Sequence, residues 1–295
     1  MPIYYPDILE QKAEPRGFTY TERDVMLYAL GIGMGRDPMN ERELPFVLEK
    51  DIKVVPSAVT TLALAKGGPA RPASEQNPGL RISELNLLML VHGEQKIELH
   101  KPLPSSGTFR ATSRTIAAFD KGQDKGAVVV DETMWTDDKG EKIATLTAST
   151  FARGDGGFDG PPAGAPEPHS VPTRKPDVTV SLDTRPDQAL LYRLNGDFNP
   201  LHSDPSVAKQ AGFSRPILHG LCTFGITCRA VLQEFCNFDP TRILSHEARF
   251  SAPVLPGDTI TVDLWQDVDV ISFEARVIDR CTTVIKNGKA VRRGF

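Results

Sequence analysis

A segment in the second half of the chain carries an acid, an amide and an imidazole within six residues, Asp197-Phe198-Asn199-Pro200-Leu201-His202. General acid–base catalysis needs positioned proton-transfer groups, and a carboxyl and an imidazole are such groups. On a regular helix the Asp197 and His202 side chains would diverge, but Asn199-Pro200 breaks helical regularity and allows a turn that directs both at one water molecule. We therefore interpret this turn as an active site.

Each part of the segment also has an ordinary structural explanation when it is taken alone. Asp-x-Asn-Pro is common in Asx turns, and an isolated histidine is more often structural than catalytic. His202 and Asp204 have the spacing of a metal pair, but no third ligand with suitable spacing accompanies them, so we expect no metal. The complete string, with Pro216-Ile217-Leu218-His219-Gly220 downstream of it, favours catalysis.

Helix signals on both sides indicate how the turn is held. Thr184 predicts the start of one helix, as its N-cap, and Gly196 predicts its end. Asp204-Pro205 begins a second helix, which Gly212 ends. From Gly220 to Phe235 apolar residues recur at i, i+3, i+4 and i+7, which predicts one long buried helix.

Gly220 opens this long helix. Its backbone N–H is therefore available to a developing negative charge, with the helix dipole behind it, and the missing side chain allows close approach. We expect His219 to hold the preceding turn and Gly225 to let the helix approach the sheet closely.

Strand signals surround these helices. Ile260, Val262 and Leu264 alternate with polar residues, residues 271–278 form a further strand pattern, and Asn287-Gly288 is typical of a hairpin turn. One buried helix followed by an antiparallel meander predicts a sheet wrapped around a helix. The first half repeats these signals, with a helix expected near 56–65 and strands near 96–99, 109–116, 128–135 and 143–150.

The chain divides into two similar halves. Five glycines and five prolines between Gly154 and Arg174 predict an extended connector. Pro102 to Thr108 and Pro253 to Thr259 are similar segments that each precede a strand, roughly 150 residues apart, which indicates a duplicated domain. We expect an N-terminal repeat at 1–153, a linker at 154–174 and a C-terminal repeat at 175–295.

Composition narrows the classes of partner. The chain has 295 residues, of which 40% are hydrophobic and 24% charged, and its net charge is −4. A negative net charge does not favour binding to nucleic acid. No apolar run approaches the ~20 residues that span a bilayer. We expect neither nucleic acid nor a membrane as partner. The four cysteines have no metal-ligand spacing and are expected to be small, reduced core residues.

The string from Tyr192 to Pro205 resembles the hydratase 2 motif of the MaoC-like (R)-specific enoyl-CoA hydratases. The resemblance extends to 216–223 and, in the first half, to 92–95 and 101–104. It implies an α+β double hot-dog fold, with two antiparallel sheets each wrapped around a central helix and the catalytic motif kept only in the C-terminal repeat. Consistent with this, no Asp-x-Asn-Pro-x-His occurs before the linker.

The resemblance implies reversible addition of water to trans-2-enoyl-CoA, giving (3R)-3-hydroxyacyl-CoA. It implies no metal and no cofactor, since CoA is part of the substrate. Asp197 and His202 would be the proton-transfer pair, Asn199 would orient substrate or water, and Gly220 would stabilise the oxyanion. Which of Asp197 and His202 takes the proton from water stays open. Substrate contacts are implied at His92, Gly93, Lys121 and Phe250.

Other activities and several properties stay open at this stage. Two alternatives are a different hot-dog acyl-thioester enzyme, namely a thioesterase or a 3-hydroxyacyl carrier-protein dehydratase, and a noncatalytic acyl-CoA binding module. We expect medium or long acyl chains, with the first repeat accommodating the tail, and a homodimer. We expect the cytoplasm, with the peroxisome as the alternative, because the final residues are unlike a Ser-Lys-Leu signal. The pathway, whether fatty-acid breakdown, polyester precursor supply or sterol side-chain degradation, is undetermined.

Overall fold

The computed structural model describes residues 3–10, 14–64 and 89–294, and a ten-stranded antiparallel sheet runs through them. Its strands are β1 (Arg16–Tyr20), β2 (Leu90–Leu99), β3 (Gly107–Asp120), β4 (Ala127–Thr136), β5 (Lys142–Ala152), β6 (Val178–Asp183), β7 (Ile243–Phe250), β8 (Thr259–Asp267), β9 (Val270–Val277) and β10 (Thr282–Arg292). Their order across the sheet is β1-β3-β4-β5-β2-β7-β10-β9-β8-β6. The strands predicted in both halves are thereby confirmed.

The sheet consists of two five-stranded halves with the same strand order. Read inward from each edge, the order is β1-β3-β4-β5-β2 in the first half and β6-β8-β9-β10-β7 in the second. The segments at 102–108 and 253–259 precede β3 and β8, which occupy equivalent positions. The two expected sheets meet edge to edge, because β2 pairs with β7 from Glu94↔Arg249 to Glu98↔Ser245. The site described below lies at this junction.

The described residues form four α-helices, which are α1 (Glu22–Gly31), α2 (Gln188–Tyr192), α3 (Pro205–Gln210) and α4 (Gly220–Phe235). The long helix α4 begins and ends as predicted. Most of its apolar side chains are buried in the main core, at roughly 1.5–3 kcal/mol for each large one, which fixes the position of its N-terminus. No helix in the described part of the chain is long and apolar enough to cross a membrane.

Three details of the helices differ from prediction. Thr184 is not an N-cap, because its hydroxyl donates to the Asp258 carbonyl (2.7 Å) and α2 starts only after Asp187. Gly225 faces α1, where a β-carbon would lie 2.6 Å from Ile32 and 2.7 Å from the Tyr28 hydroxyl, and so it does not face the sheet. Helix α1 was not predicted.

The helix expected near 56–65 is a 3₁₀ turn at Pro56–Thr60, and the expected range extends beyond the described residues. Pro56 fixes the start of the turn, but the following residues do not continue into an α-helix up to Leu64. In the described chain, the long central helix therefore belongs to the second half.

Asn287-Gly288 does not form a hairpin turn. Asn287 has φ +56°, and at this point the register of β10 shifts against both β7 and β9, so the pair forms a β-bulge inside one strand. A β-carbon on Gly288 would lie 2.3 Å from the Phe273 ring, which excludes any side chain there. Asn-Gly suits both structures because both need positive φ, and here pairing on both sides keeps the strand continuous.

The cysteines are free, as predicted, but they are not all core residues. Cys222, Cys228 and Cys236 are buried, whereas Cys281 is exposed. Cys281 ends a 3₁₀ turn with φ +48°, outside the packed strands. The prediction for Cys281 was therefore wrong.

The segment between β5 and β6 has no helix or strand, yet it contacts both halves. The Asp120 carboxylate accepts N–H groups of Gly157 (2.8 Å) and Asp159 (2.9 Å). On the other side, the His169 carbonyl accepts the Asn287 side-chain N–H at 2.7 Å. The expected boundaries at 153 and 175 stay a prediction.

Candidate active site

The turn at Asp197 is built from two successive Asx turns. The Asp197 carboxylate accepts the N–H of Asn199 (3.2 Å), and the Asn199 side-chain oxygen accepts the N–H of Leu201 (3.0 Å). A short 3₁₀ turn, Pro200–His202, completes the segment. Asp204 then caps α3 by accepting the N–H of Ser206 (2.7 Å), so its carboxylate is not part of a metal pair with His202.

This geometry brings Asp197 and His202 together, as the sequence predicts. Ligand atoms of Asp197, His202 and His219 all lie within 4.8 Å of one another. A water molecule with hydrogen bonds of about 2.8 Å to two partners holds them about 4.6 Å apart at a tetrahedral angle. The Asp197 carboxylate and the His202 ring are therefore close enough to share one water.

The His202 ring is oriented by a carbonyl group. Its Nδ1 lies 2.9 Å from the Ile217 carbonyl oxygen, which only accepts, so Nδ1 carries the proton and Nε2 keeps a lone pair. Burial lowers the pKa of His202, against the opposing effects of this hydrogen bond and of the Asp197 charge. His202 is therefore neutral at pH 7, with a free nitrogen able to accept a proton.

A second imidazole, His219, lies against the first. The two ring centres are 3.8 Å apart, and the Tyr192 ring lies 5.0 Å from His219 on another side. The His219 Nε2–H donates to the Asp197 main-chain carbonyl (3.2 Å). Burial and the neighbouring His202 lower the pKa of His219 to about 4, although the Asp197 charge acts in the opposite direction.

The three donors do not fit a tetrahedral metal ion as they stand. With metal–nitrogen distances of about 2.0–2.1 Å, such an ion would hold two imidazole ring centres about 5 Å apart. The observed separation of 3.8 Å, with the rings only 28° from parallel, is that of stacked rings. The arrangement therefore suits proton transfer better than metal binding.

Gly220 lies directly beside this cluster as the first residue of α4. Its predecessor His219 is the helix N-cap, and the His219 carbonyl accepts the N–H groups of Cys222 (3.1 Å) and Thr223 (3.2 Å). A β-carbon on Gly220 would lie 3.4 Å from the Phe250 ring. The N-terminus of a sixteen-residue helix, with its positive dipole end, therefore lies beside the Phe250 ring.

The first half contributes His92 to the same place, and Gly93 follows it in β2. The register of β2 against β5 shifts between His92 and Glu94, so Gly93 is at a bulge, and bulges re-aim neighbouring side chains. The His92 ring lies edge-on to Phe250, with centres 4.9 Å apart. Burial lowers the pKa of His92 to about 4, and the negative charge of Asp197 opposes this shift. The Asp197 carboxylate is therefore close enough to affect the protonation of His92.

Two predicted site residues are not brought into the cluster. Lys121 donates to the Pro162 carbonyl (2.8 Å), and three strand spacings, about 14 Å in total, separate its end of β3 from β2. Asn199 is exposed, and its side-chain oxygen is bonded within the turn, so its observed contact shapes the backbone.

Sequence reasoning did not identify the contacts of Tyr192 and His219. Both residues lie within the strings that carry the family resemblance, but their ring contacts join positions that are far apart along the chain. The Tyr192 ring is fully buried, and its hydroxyl has no hydrogen-bond partner in the described chain. In the sequence, these contacts were indicated only by the presence of Tyr192 and of a second histidine, His219, within these strings.

Comparisons with known proteins cover nearly the whole chain. Residues 18–154 match the family described as MFE-2 hydratase 2 N-terminal domain, and residues 166–287 match the MaoC like domain. The chain is 42% identical to enoyl-CoA hydratase ChsH3 of Mycobacterium tuberculosis, over 90% of this chain and 91% of that protein. It is 36% identical to the peroxisomal enoyl-CoA hydratase 2 of Arabidopsis thaliana, over 94% and 92%.

Solved structures of similar proteins agree with these family matches. A MaoC-like dehydratase from Phytophthora capsici superimposes with a TM-score of 0.85 at 33% identity, covering 98% of each chain. A distant Mycobacterium tuberculosis protein described as a double hot-dog fold has a TM-score of 0.53 at 14% identity, which concerns the fold alone. These similarities confirm the predicted fold class.

Proposed function

This chain belongs to the MaoC-like hydratase 2 family, and from that premise we propose that it is an (R)-specific 2-enoyl-CoA hydratase. As a hydro-lyase it adds water reversibly to trans-2-enoyl-CoA and forms (3R)-3-hydroxyacyl-CoA. The observation that carries the proposal is the Asp197–His202 pair, close enough to share one water beside the N-terminus of α4.

The proposed chemistry divides between the pair and the helix. In the hydration direction, one member of the pair removes a proton from water while the water oxygen bonds to C3. Electrons of the double bond move toward the thioester, and the Gly220 N–H stabilises the charge on its oxygen. C2 then receives the proton that the pair has just taken, so both groups return to their starting state after each turnover.

Substitution of the pair tests these roles. We expect Asp197→Asn and His202→Ala each to lower kcat by about 10²–10⁴-fold, the usual contribution of a general acid or base. Loss of the absorbance of the conjugated thioester measures the rate, and thermal unfolding checks that each variant is folded. His100→Ala is the matched control, because His100 is exposed and its ring is hydrogen-bonded to Thr145 (2.8 Å). Wild-type rates in either pair variant would refute the assignment.

We also propose that the substrates are medium or long acyl chains. The first half lacks the Asp-x-Asn-Pro-x-His motif but provides five strands of the sheet, and we infer that it accommodates the acyl tail. Rates with enoyl-CoA substrates of increasing chain length test the proposal. Activity confined to four-carbon substrates would contradict it.

Substrate binding by His92, Gly93, Phe250 and Lys121 is part of the same proposal. Phe250 lies beside Gly220 and contacts His92, which Gly93 follows in β2, whereas Lys121 would have to reach a distant CoA phosphate as a mobile charge. Lys121→Ala should raise KM for the CoA substrate without changing kcat. An unchanged KM would remove Lys121 from the site.

The same assays separate the alternatives. Release of free CoA thiol would indicate a thioesterase, and ligand binding without loss of absorbance would indicate a binding module. Faster turnover of the carrier-protein thioester than of the CoA thioester would indicate a carrier-protein dehydratase.

We further propose a cytoplasmic homodimer that needs no metal or cofactor. Light scattering, cell fractionation and activity after chelation test these three points.

A further inference from the structure

One buried side chain, His219, contacts both ends of the turn that carries the proposed catalytic pair. Its ring stacks on His202 with centres 3.8 Å apart and also packs against Tyr192. Its Nε2–H donates to the main-chain carbonyl of Asp197. Only 1% of His219 is exposed, so these contacts are shielded from water.

The main chain of His219 joins the same turn to α4. His219 is the N-cap, its carbonyl accepts the N–H groups of the first helical turn, and Gly220 follows directly. A displacement of His219 would therefore shift Asp197, His202 and the Gly220 N–H relative to one another. Few side chains are placed to couple three such groups.

We propose that His219 is a positioning residue, whose Nε2–H and ring face hold Asp197 and His202 in one fixed geometry beside the Gly220 N–H. The inference rests on the proposed hydratase function and adds a residue to it. His219 itself transfers no proton in this account. It acts through the groups that it contacts.

The protonation state of His219 agrees with this role. Its Nδ1 is buried and has no hydrogen-bond partner in the described chain. Because Nε2 carries the proton that bonds to Asp197, protonation of the ring would add a second N–H with no acceptor, next to the His202 ring. The pKa of about 4 keeps His219 neutral at physiological pH, as a constant donor.

Two substitutions separate the donor from the ring. His219→Phe keeps a ring and loses the donor, whereas His219→Gln keeps an amide N–H near the position of Nε2 and loses the ring. We expect His219→Phe to lower kcat by about 100-fold, the scale of a 1 Å misplacement, with KM changed by less than about threefold. His219→Gln should recover at least about tenfold of that loss.

His246 provides the matched control. It is also fully buried with an unpartnered Nδ1, and it packs against Phe224 and Phe273 in the core, away from the turn. His246→Phe should leave kcat within about threefold of wild type while its stability changes. Loss of kcat in His246→Phe equal to that in His219→Phe would overturn the inference.

The remaining outcomes are distinct from failure of the proposed function. An inactive wild-type protein would refute the hydratase activity itself. An active wild type with His219→Phe unchanged, or with His219→Gln no better than His219→Phe, would overturn only the positioning role. If His219→Phe does not fold, His219→Asn replaces it, since its shorter amide does not reach the Nε2 position. Equal kcat in the Asn and Gln variants would then overturn the inference.

Discussion

Two glycines on α4 provide a paired test, because the structure predicts opposite outcomes for the same substitution. A β-carbon at Gly220 would lie 3.4–3.6 Å from Phe250, an ordinary contact, and would clash with nothing nearer. A β-carbon at Gly225 would lie 2.6 Å from Ile32 and 2.7 Å from the Tyr28 hydroxyl. Gly220 is at the proposed oxyanion site, whereas Gly225 is packed against α1.

We expect Gly220→Ala to leave stability nearly unchanged and to lower kcat/KM by about 10²–10³-fold, equivalent to about 2.7–4 kcal/mol. The added methyl group would lie beside the Gly220 N–H, where the proposed mechanism places the thioester oxygen. The fold tolerates it, since alanine is at least as favourable as glycine in a helix.

We expect the reverse from Gly225→Ala. Overpacking of a buried contact costs about 1–3 kcal/mol, and Tyr28 cannot move freely because its hydroxyl donates to Ser57 at 2.9 Å. The helix-propensity gain of about 1 kcal/mol offsets part of this cost. Activity per folded molecule should stay at the wild-type level.

Urea unfolding and initial rates of hydration measure both quantities for each variant. Each variant is thus the control for the other, because both add one methyl group to the same helix. Full activity in Gly220→Ala, or a loss of stability in it as large as that in Gly225→Ala, would refute the placement of the oxyanion site at the start of α4.

Three further results are expected. Burial lowers the pKa of His246 to about 3, so below pH 6.5 the unfolded chain takes up a proton that the folded chain does not. Between pH 7 and pH 4.5, His246→Phe should therefore lose about 2–3 kcal/mol less stability than wild type in urea titrations, and identical pH dependence would contradict this. Arg229→Met should lower the free energy of unfolding by about 3–5 kcal/mol, because it leaves the buried Glu43 carboxylate without the Arg229 Nε–H that it accepts at 2.8 Å. Adding Glu43→Gln should restore part of this stability. Additive losses in the double variant would contradict the pairing. Because burial lowers the pKa of His202, the acid limb of kcat/KM should have its midpoint below pH 6.5, and a midpoint above pH 6.5 would contradict the lowered pKa.

The sequence was informative where a local pattern has one physical meaning. The apolar periodicity from Gly220 to Phe235 is explained by one buried helix, and the structure contains it with these ends. The Asp197 to His202 turn was also predictable, since Asx turns depend on side chains two residues from the amide they accept. The structure shows two such turns in succession.

Prediction was less successful where distant contacts decide between local alternatives. Asn287 has a positive φ, which suits both a hairpin turn and a bulge, and only the pairing of β10 on both sides selects the bulge. Thr184 has the chemistry of an N-cap, but its hydroxyl bonds to Asp258, which is remote along the chain. Stacking of His219 on His202 likewise arises from the path of the chain between α3 and α4.

Helix α1 shows a different limit. Its start carries a local signal, because the Thr21 N–H and hydroxyl both donate to the Asp24 carboxylate, at 2.8 and 2.7 Å. The helix is short and packs against α4, where Gly225 makes room for it. The buried face of α1 can therefore be predicted only when the position of α4 is known.

The product formed from a medium-chain trans-2-enoyl-CoA by the wild-type protein tests the central claim most directly. If Asp197 and His202 act on one water held on one face of the substrate, chiral analysis should find a single 3-hydroxyacyl-CoA enantiomer, (3R), with no free thiol. A racemic or (3S) product, or an unchanged enoyl-CoA, would contradict the account.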